Sequence, residues 1–192
     1  MSAAAERNED ILIITKDNEA YMNTGNQRSS ATPKYAITST TPVGPKSRGK
    51  ERPKKNIPFI FAAHYVPYVA TTSVGYPEDL IAKVNHAKSI NGFRMIIIQA
   101  PCPVGWRYDP ARTIEIAKAG VQSGIWPLYE IQDGEKFKLN YKPKELKPVT
   151  EYLKPQSRFR HMTDEEISEI QETTAARWTQ LLSADEMGRV VI

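Results

Sequence analysis

Alternating apolar and polar stretches along the chain predict a sheet flanked by helices. Short apolar runs rich in β-branched residues predict buried strands at Ile11–Thr15, Tyr68–Thr72 and Met95–Gln99. The unbroken apolar run in Met95–Gln99 is typical of a parallel strand that is buried on both faces. Between these strands, Tyr76–Lys88 has apolar residues at three-to-four spacing, which predicts an amphipathic helix. This strand–helix–strand order is typical of a doubly wound α/β sheet.

Capping residues and turn dipeptides place further elements. Asn56 and Asp109 have the side chains that favour a helix N-cap, and a proline follows each of them in the first helical turn. Gly124 is suited to a helix C-terminus, and Asp133-Gly134 to a hairpin turn. The predicted elements are helices over 56–64 and Asp109–Ser123, and a hairpin of Trp126–Gln132 with Phe137–Tyr141.

The last third of the chain has a different pattern. Lys142–Lys154 is rich in proline and lysine, and we expect it to be extended. Thr163 and Glu166 have the spacing of a capping box, which predicts a helix that begins there and ends near Leu182. We expect this helix to pack on the domain or on a neighbouring chain.

Composition and charge narrow the classes of function. The chain has 192 residues, 40% hydrophobic and 25% charged, as in an ordinary globular domain. No apolar run approaches the roughly 18 residues of a membrane span, and the N-terminal segment lacks a signal-peptide pattern, so we expect a cytoplasmic protein. The single cysteine, Cys102, excludes an intrachain disulfide. It also cannot form a zinc or iron–sulfur site alone, because such sites take about four ligands.

Positive charge is concentrated between Lys46 and Lys55. This segment has six lysine or arginine residues and one glutamate, a net charge of +5. A solvated loop is the favoured interpretation, and a patch for an acidic partner or an anionic ligand is the alternative. No aromatic residues are interleaved with the charges, so nucleic acid is a poor candidate partner.

The segment Asp17–Gly25 carries the candidate chemistry. It follows the first predicted strand, and ligands of open α/β sheets bind at the carboxyl ends of strands. The side-chain oxygen of Asn18 and the backbone carbonyl of Ala20 have a spacing that suits a magnesium ion holding a diphosphate. From spacing alone the signal is weak, because Asp17 and Asn18 could simply end the strand.

Eight segments in a fixed order strengthen this hypothesis, and they span roughly residues 5–135. Together they resemble the beta subunit of pyruvate and 2-oxoisovalerate ferredoxin oxidoreductases. The segments are Asp17-Asn-Glu-Ala-Tyr-Met-Asn-Thr-Gly, Gln27-Arg-Ser-Ser-Ala-Thr-Pro, Thr40-Thr-Pro-Val-Gly, Ala62-Ala-His, Pro67-Tyr-Val-Ala-Thr, Tyr76-Pro-Glu-Asp-Leu, Ala100-Pro-Cys-Pro-Val-Gly-Trp and Trp126-Pro-Leu-Tyr-Glu.

The resemblance implies a fold and its division. The expected fold is α/β: the C-terminal part of a thiamine-diphosphate-binding fold, with a mostly parallel sheet flanked by helices, an extended tail and a C-terminal helix. Residues 1–135 would form that part of the binding domain. Residues 136–192 would form a C-terminal extension with a hairpin strand, an extended basic segment and a helix.

The resemblance also implies cofactors and site residues. The cofactors would be thiamine diphosphate, magnesium and a 4Fe–4S cluster. The side chain of Asn18 and the backbone carbonyl of Ala20 would bind the magnesium, and Thr24 would contact thiamine diphosphate. Asn23 would lie beside the thiazolium and the 2-oxoacid as a catalytic residue, where its amide can donate to a developing oxyanion. Cys102 would be a cluster ligand.

Two features depart from the family pattern. Asn26 stands where glycine or an apolar residue is usual, which could alter the substrate pocket. The Gly-Asp-Gly motif and the three other cluster cysteines of the family lie upstream, and only 16 residues, without a glycine, precede Asp17. We therefore expect the C-terminal part of a beta subunit, with the first half either supplied by another polypeptide or lost.

The function implied by the resemblance is that of an enzyme subunit. The complex would oxidise pyruvate with coenzyme A to acetyl-CoA and reduce ferredoxin, and its partners would be alpha, gamma and delta subunits. Alternatives are a 2-oxoisovalerate enzyme and a truncated, non-catalytic interaction module. We expect no catalytic histidine among His64, His86 and His161. Trp106 and Tyr108 either line the cluster pocket or only pack there.

Overall fold

The computed structural model describes residues 1–190, and its secondary structure follows the predicted order of strands and helices. The strands are β1 (Leu12–Asp17), β2 (Val43–Gly44), β3 (Ser47–Arg48), β4 (Tyr68–Ser73), β5 (Arg94–Gln99), β6 (Tyr129–Gln132) and β7 (Lys136–Leu139). The helices are α1 (Ser2–Glu6), α2 (Ile57–Ala62), α3 (Pro77–Lys88), α4 (Pro103–Trp106), α5 (Thr113–Gln122), α6 (Thr150–Leu153) and α7 (Asp164–Met187), with 3-10 turns at Pro110–Arg112 and Ser157–Phe159.

Five strands form the central sheet, in the order β1-β5-β4-β6-β7. β5 pairs in parallel with both β1 and β4. β6 runs antiparallel to its neighbours β4 and β7, so four of the five strands point the same way. The predicted α/β fold with a mostly parallel sheet is confirmed. β2 and β3 form a separate small hairpin within the long loop after β1.

Helices cover both faces of the sheet because alternate residues of the central strands point to opposite sides. On one face the strand residues Val69, Met95 and Ile97 pack with Phe61 of α2 and Val121 of α5. On the other face, α3 covers the sheet, and the residues that pack there are Tyr68, Ala70, Leu80, Val84, Ala87, Ile96 and Ile98. The predicted strand run Met95–Gln99 is buried along its whole length for this reason.

The strand register brings three chain segments to one edge of the sheet. Asp17 at the end of β1 and Ser73 at the end of β4 both pair with Gln99, the last residue of β5. The segment after β1 and the segment after β5, which contains Cys102, therefore leave the sheet side by side. This edge is where an open α/β sheet binds ligands.

Several predicted boundaries are wrong. The helix predicted over Asp109–Ser123 begins with a 3-10 turn, where the Asp109 side chain accepts the N–H of Ala111, and continues as α5. β6 begins at Tyr129 and not at Trp126, whose indole N–H donates to the carbonyl of Thr72 instead. Pro127 lacks an N–H for the ladder, which accounts for the late start.

The C-terminal region is more helical than its sequence pattern suggested. The segment predicted to be extended contains α6, whose Tyr152 and Leu153 are buried. The capping box of Thr163 and Glu166 is confirmed, but α7 continues beyond Leu182 to Met187 before the left-handed Gly188 ends it. Among residues 1–190, even this longest helix lacks the apolar character needed to cross a membrane.

The basic segment is not simply a solvated loop, and that interpretation is wrong for three of its six cations. The ammonium group of Lys50 is enclosed by the backbone carbonyls of Ser30, Thr32 and Pro53, and the residue is only 2% exposed. These three bonds satisfy the donors of one buried ammonium group. Lys50 therefore joins the middle of the long loop, at Ser30 and Thr32, to its last part, at Pro53.

The other two engaged cations contact distant parts of the chain. Arg48 pairs with Glu166 at the start of α7, at 2.8 Å. Lys54 pairs with Asp17 at 2.7 Å and with Glu19 at 3.0 Å. The loop is thus tied to both the candidate site and the C-terminal helix. Arg48 is nonetheless exposed, and the exposed cations of the segment that form no ion pair within residues 1–190 are Lys46, Arg52 and Lys55.

We expect Lys50→Met to lower the free energy of unfolding by about 3 kcal/mol, because it leaves buried carbonyl oxygens without a donor. Urea unfolding followed by circular dichroism measures the change. Lys55→Met is the matched control in the same loop, since this exposed side chain should change stability by less than about 0.5 kcal/mol. Equal effects of the two substitutions would contradict the role given to Lys50.

Candidate functional site

A tight turn follows β1 and presents the two predicted metal ligands. The Asp17 side chain accepts the N–H of Glu19 at 2.8 Å, which is the bond of an Asx turn. Glu19 lies between Asn18 and Ala20 with a φ of 67°, in the left-handed region that few residues other than glycine and asparagine adopt. The Thr32 hydroxyl donates to the Glu19 carbonyl at 2.6 Å and holds the turn from the far side.

The Glu19 side chain is directed inwards and is only 2% exposed. Its carboxylate accepts from Lys54 at 3.0 Å and from Arg158 at 2.6 Å. Burial alone would raise the pKa of Glu19, but the positive charges of Lys54 and Arg158 outweigh that effect and lower it. The carboxylate is therefore ionised, and Lys54 and Arg158 together compensate its buried charge.

Trp106 connects the same turn to the segment that contains Cys102. Its indole N–H donates to the backbone carbonyl of Asn18 at 2.8 Å, and the Arg158 guanidinium lies 3.9 Å above its ring. Tyr108 contacts Trp106 edge-on, with its hydroxyl 3.4 Å from Thr113. Trp106 thus positions the turn and does more than fill space, whereas Tyr108 packs beside it.

The two oxygen atoms predicted to bind magnesium are accessible for a metal ion to bind. Neither the Asn18 side chain nor the Ala20 carbonyl forms a hydrogen bond with any residue in the range 1–190. Both present hard oxygen atoms, as magnesium prefers, and a magnesium ion on a diphosphate usually takes only a few ligands from protein. The turn fits one part of a magnesium–diphosphate site.

Asn23 lies at the exposed tip of a small closed loop. Tyr21 and Gln27 exchange two backbone hydrogen bonds, of 3.0 and 3.1 Å, which close the loop at its base. Inside it, the Thr24 hydroxyl donates to the Gln27 side chain at 2.5 Å, and the Gln27 amide donates back to the Thr24 carbonyl at 2.6 Å. The Asn23 amide forms no such bond within the described chain and is exposed.

The unusual residue Asn26 is explained by backbone geometry. Its φ is 59°, and asparagine tolerates this left-handed conformation far better than most residues do. Its amide also donates to the carbonyl of Gly105 in α4, at 3.4 Å. A Cβ at Gly105 would lie 2.1 Å from the sulfur of Met22, so a larger residue there would require the Met22 side chain to move. Asn26 therefore joins the loop to α4.

Cys102 precedes α4 as its N-cap residue and is partly buried among Trp106, Tyr108 and neighbouring apolar side chains. Within the described range, no three or more histidine, cysteine, aspartate or glutamate side chains are arranged to hold a metal ion. The chain can therefore offer at most this one cysteine to an iron–sulfur cluster, and it does not form a complete cluster site.

The recorded contacts of the three histidines are with residues outside the turn. His64 lies 2.9 Å from the Ser2 hydroxyl, and His86 contacts Tyr68 edge-on with ring centroids 5.1 Å apart. His161 contacts the backbone carbonyl of Arg48 at 3.1 Å.

The three charged residues that form the buried ion-pair cluster at the turn, Glu19, Lys54 and Arg158, were not identified from the sequence. Glu19 was inside the recognised motif, and its position between two candidate ligands was the only local signal. Lys54 was hidden in a run of charges, and Arg158 in a segment expected to be outside the binding domain.

Comparison with known proteins supports the resemblance. Residues 1–98 match the family described as thiamine pyrophosphate enzyme, C-terminal TPP binding domain. The chain is 56% identical over 171 residues to pyruvate synthase subunit PorB of Methanocaldococcus jannaschii, covering 89% of this chain and 57% of that protein. It is 46% identical over 189 residues to ketoisovalerate oxidoreductase subunit VorB of Pyrococcus abyssi, covering 97% of this chain and 60% of that protein.

A solved structure of 2-oxoglutarate:ferredoxin oxidoreductase from Magnetococcus marinus is more distant. Its TM-score is 0.48 at 21% identity, with 60% of this chain and 45% of that chain covered. The chain spans somewhat more than half the length of the curated relatives named above. On the family match and these identities, the chain belongs to the thiamine pyrophosphate enzymes through their C-terminal TPP-binding domain and is related to the PorB and VorB subunits of 2-oxoacid oxidoreductases.

Proposed function

We propose that the chain is part of the beta subunit of a 2-oxoacid:ferredoxin oxidoreductase that acts on pyruvate. The observation that supports this most directly is the turn after β1, on a backbone held by buried charges. It presents the side-chain oxygen of Asn18 and the carbonyl of Ala20, and neither accepts a hydrogen bond from any residue in the range 1–190. The complex would form acetyl-CoA from pyruvate and coenzyme A and would reduce ferredoxin.

Each site residue has a proposed role in that reaction. Asn18, through its side chain, and Ala20, through its carbonyl, would hold the magnesium of the diphosphate. Bound thiamine diphosphate would supply the carbanion chemistry. The Asn23 side-chain amide would donate a hydrogen bond to the oxyanion that develops on the substrate. Because the Thr24 hydroxyl is bonded to Gln27, Thr24 would contact the cofactor through its backbone.

The remaining parts of the site would come from other polypeptides. Cys102 would supply one ligand of a 4Fe–4S cluster, and a segment with a Gly-Asp-Gly motif and further cysteines would complete both sites. Alpha, gamma and delta subunits would be the partners in a cytoplasmic complex. A non-catalytic interaction module remains the competing function if no such segment exists.

Pyruvate is the preferred substrate because the chain is 56% identical to a pyruvate synthase subunit and 46% identical to a ketoisovalerate oxidoreductase subunit. 2-Oxoisovalerate is the second candidate.

The exposed cations of the basic segment are candidates for docking acidic ferredoxin or the phosphates of coenzyme A. Lys54 does not belong to this set, because it is paired with Asp17 and Glu19 inside the site. The proposal is therefore confined to Lys46, Arg52 and Lys55, whose side chains are exposed. Long-range attraction of this kind acts mainly on association rates and is weakened by salt.

Reconstitution tests the proposed activity. The chain, combined with the polypeptide that carries the Gly-Asp-Gly motif and with the alpha, gamma and delta subunits, should reduce ferredoxin with pyruvate faster than with 2-oxoisovalerate or 2-oxoglutarate. The lone chain should retain neither thiamine diphosphate nor iron in stoichiometric amounts, because it holds only part of each site. A reconstituted complex that is inactive with all three acids would favour the interaction module.

Substitution of the two asparagines should separate their roles. Asn23→Ala should lower kcat by about 10²- to 10³-fold, as expected for loss of an oxyanion donor, and leave the magnesium requirement unchanged. Asn18→Ala should raise the magnesium concentration for half-maximal activity by about tenfold or more. Asn85→Ala, an exposed asparagine on α3, is the matched control. Identical effects at positions 18 and 23 would contradict the assignment.

Charge reversal at Arg52 and Lys55 tests docking. The double variant should raise the KM for ferredoxin or for coenzyme A at low ionic strength, and the difference should disappear at about 0.5 M salt. Reversal of two exposed lysines elsewhere, Lys144 and Lys154, provides the control for net charge. Unchanged low-salt kinetics for both substrates would remove the basic segment from the proposal.

A further inference from the structure

Arg158 is held in place by contacts that do not involve the turn. It is 3% exposed, and its Nε donates to the Gln156 side chain at 2.8 Å. Its backbone carbonyl accepts the N–H of Ile37 at 3.0 Å. The hydroxyl of Tyr152 lies 3.4 Å from one of its guanidinium nitrogens. These contacts orient the guanidinium independently of its contacts with the candidate site.

From this position Arg158 acts on the turn by two routes. It pairs directly with the Glu19 carboxylate at 2.6 Å. It also lies on the ring of Trp106, whose N–H donates to the Asn18 carbonyl at 2.8 Å. The two routes fix the backbone of adjacent residues, Asn18 and Glu19, and leave the Asn18 side chain free.

Lys54 cannot replace this function. Its side chain is 27% exposed, and its ammonium group is shared between Asp17 and Glu19. A lysine presents a point charge on a flexible stem, whereas arginine presents a planar fork that also stacks on aromatic rings. Among residues 1–190, only Arg158 combines the ion pair to Glu19 with the stack on Trp106.

We propose that Arg158 is a positioning residue for the metal-binding turn, and that it sets the affinity for magnesium and diphosphate without touching either. The proposal rests on the proposed function, which assigns the metal to Asn18 and Ala20. The φ of 67° at Glu19 shows why such contacts are needed. A glutamate keeps this strained backbone conformation only when its surroundings impose it. Groups that orient metal ligands without binding the metal often control affinity in this way.

Metal affinity in the reconstituted complex is the first test. Arg158→Met should raise the dissociation constant for Mn²⁺, measured by electron paramagnetic resonance in the presence of thiamine diphosphate, by about 10- to 100-fold. Arg158→Lys should recover part of this loss, because it restores the charge without the stack. Arg112→Met is the matched control, since it removes an arginine–glutamate pair on the surface. An unchanged dissociation constant for Arg158→Met would overturn the proposal.

Two further variants test the same proposal in case Arg158→Met does not fold. Glu19→Gln keeps the volume of the side chain and removes its charge, and Trp106→Phe removes the indole N–H while keeping a smaller aromatic ring beside Arg158. Both should weaken Mn²⁺ binding in the same direction, and wild-type affinity in both would overturn the proposal. Circular dichroism of each variant reports whether the fold is kept.

Hydrogen exchange of the cofactor-free full chain separates this inference from the proposed function. Arg158→Met should speed exchange in the peptide covering residues 17–25 by about tenfold, and Arg112→Met should not. If the wild-type complex binds no thiamine diphosphate but this difference is observed, the proposed function fails and the positioning role stands. If exchange is unchanged, the positioning role fails whatever the complex binds.

Discussion

The candidate site depends on one buried carboxylate, that of Glu19, held between Lys54 and Arg158. A carboxylate is unfavourable in a protein interior unless paired charges and hydrogen bonds replace its water. Because the two cations come from the basic segment and from the C-terminal region, three distant parts of the chain must assemble before the turn after β1 is stable. The turn therefore has one defined shape only in the complete fold, which is what a site for a small hard cation requires.

The sheet determines where that assembly takes place. The register that aligns Asp17 and Ser73 with Gln99 also brings the segment after β5 beside the turn after β1. α4 lies in that segment, and its last residue, Trp106, donates to the Asn18 carbonyl, while the neighbouring Gly105 leaves room for the Met22 side chain. β5 is apolar from Met95 to Ile98, and the buried polar residues Ser73 and Gln99, which are hydrogen-bonded to each other, lie at the strand ends that face the site.

Local patterns were sufficient for much of the fold. β1, β4 and β5 lie within one or two residues of their predicted positions. The unbroken apolar run of a buried parallel strand is the reason for β5. The predicted burial of the first strand is wrong, because β1 lies at the edge of the sheet and Ile14 is exposed. The capping box at Thr163 was correct because it is a contact between neighbours in sequence. The boundary errors at β6, α6 and the end of α7 arise where tertiary contacts decide the structure. The candidate ligands Asn18 and Ala20 came from a motif, whereas the Glu19–Arg158 pair joins residues 139 positions apart and leaves no local signal.

The C-terminal region cannot be regarded as an appendage to the site. The family match ends at residue 98, and the sequence pattern changes near residue 135, yet Arg158 lies beyond both positions and contacts the turn. Removing residues 136–192 would leave the Glu19 carboxylate with Lys54 alone and would uncover one face of Trp106. A boundary drawn near residue 135 from the sequence pattern thus separates Glu19 from Arg158, although the two side chains form a buried ion pair. The constraint on this region comes from electrostatics inside the protein, and its residues need no contact with a cofactor to influence the chemistry.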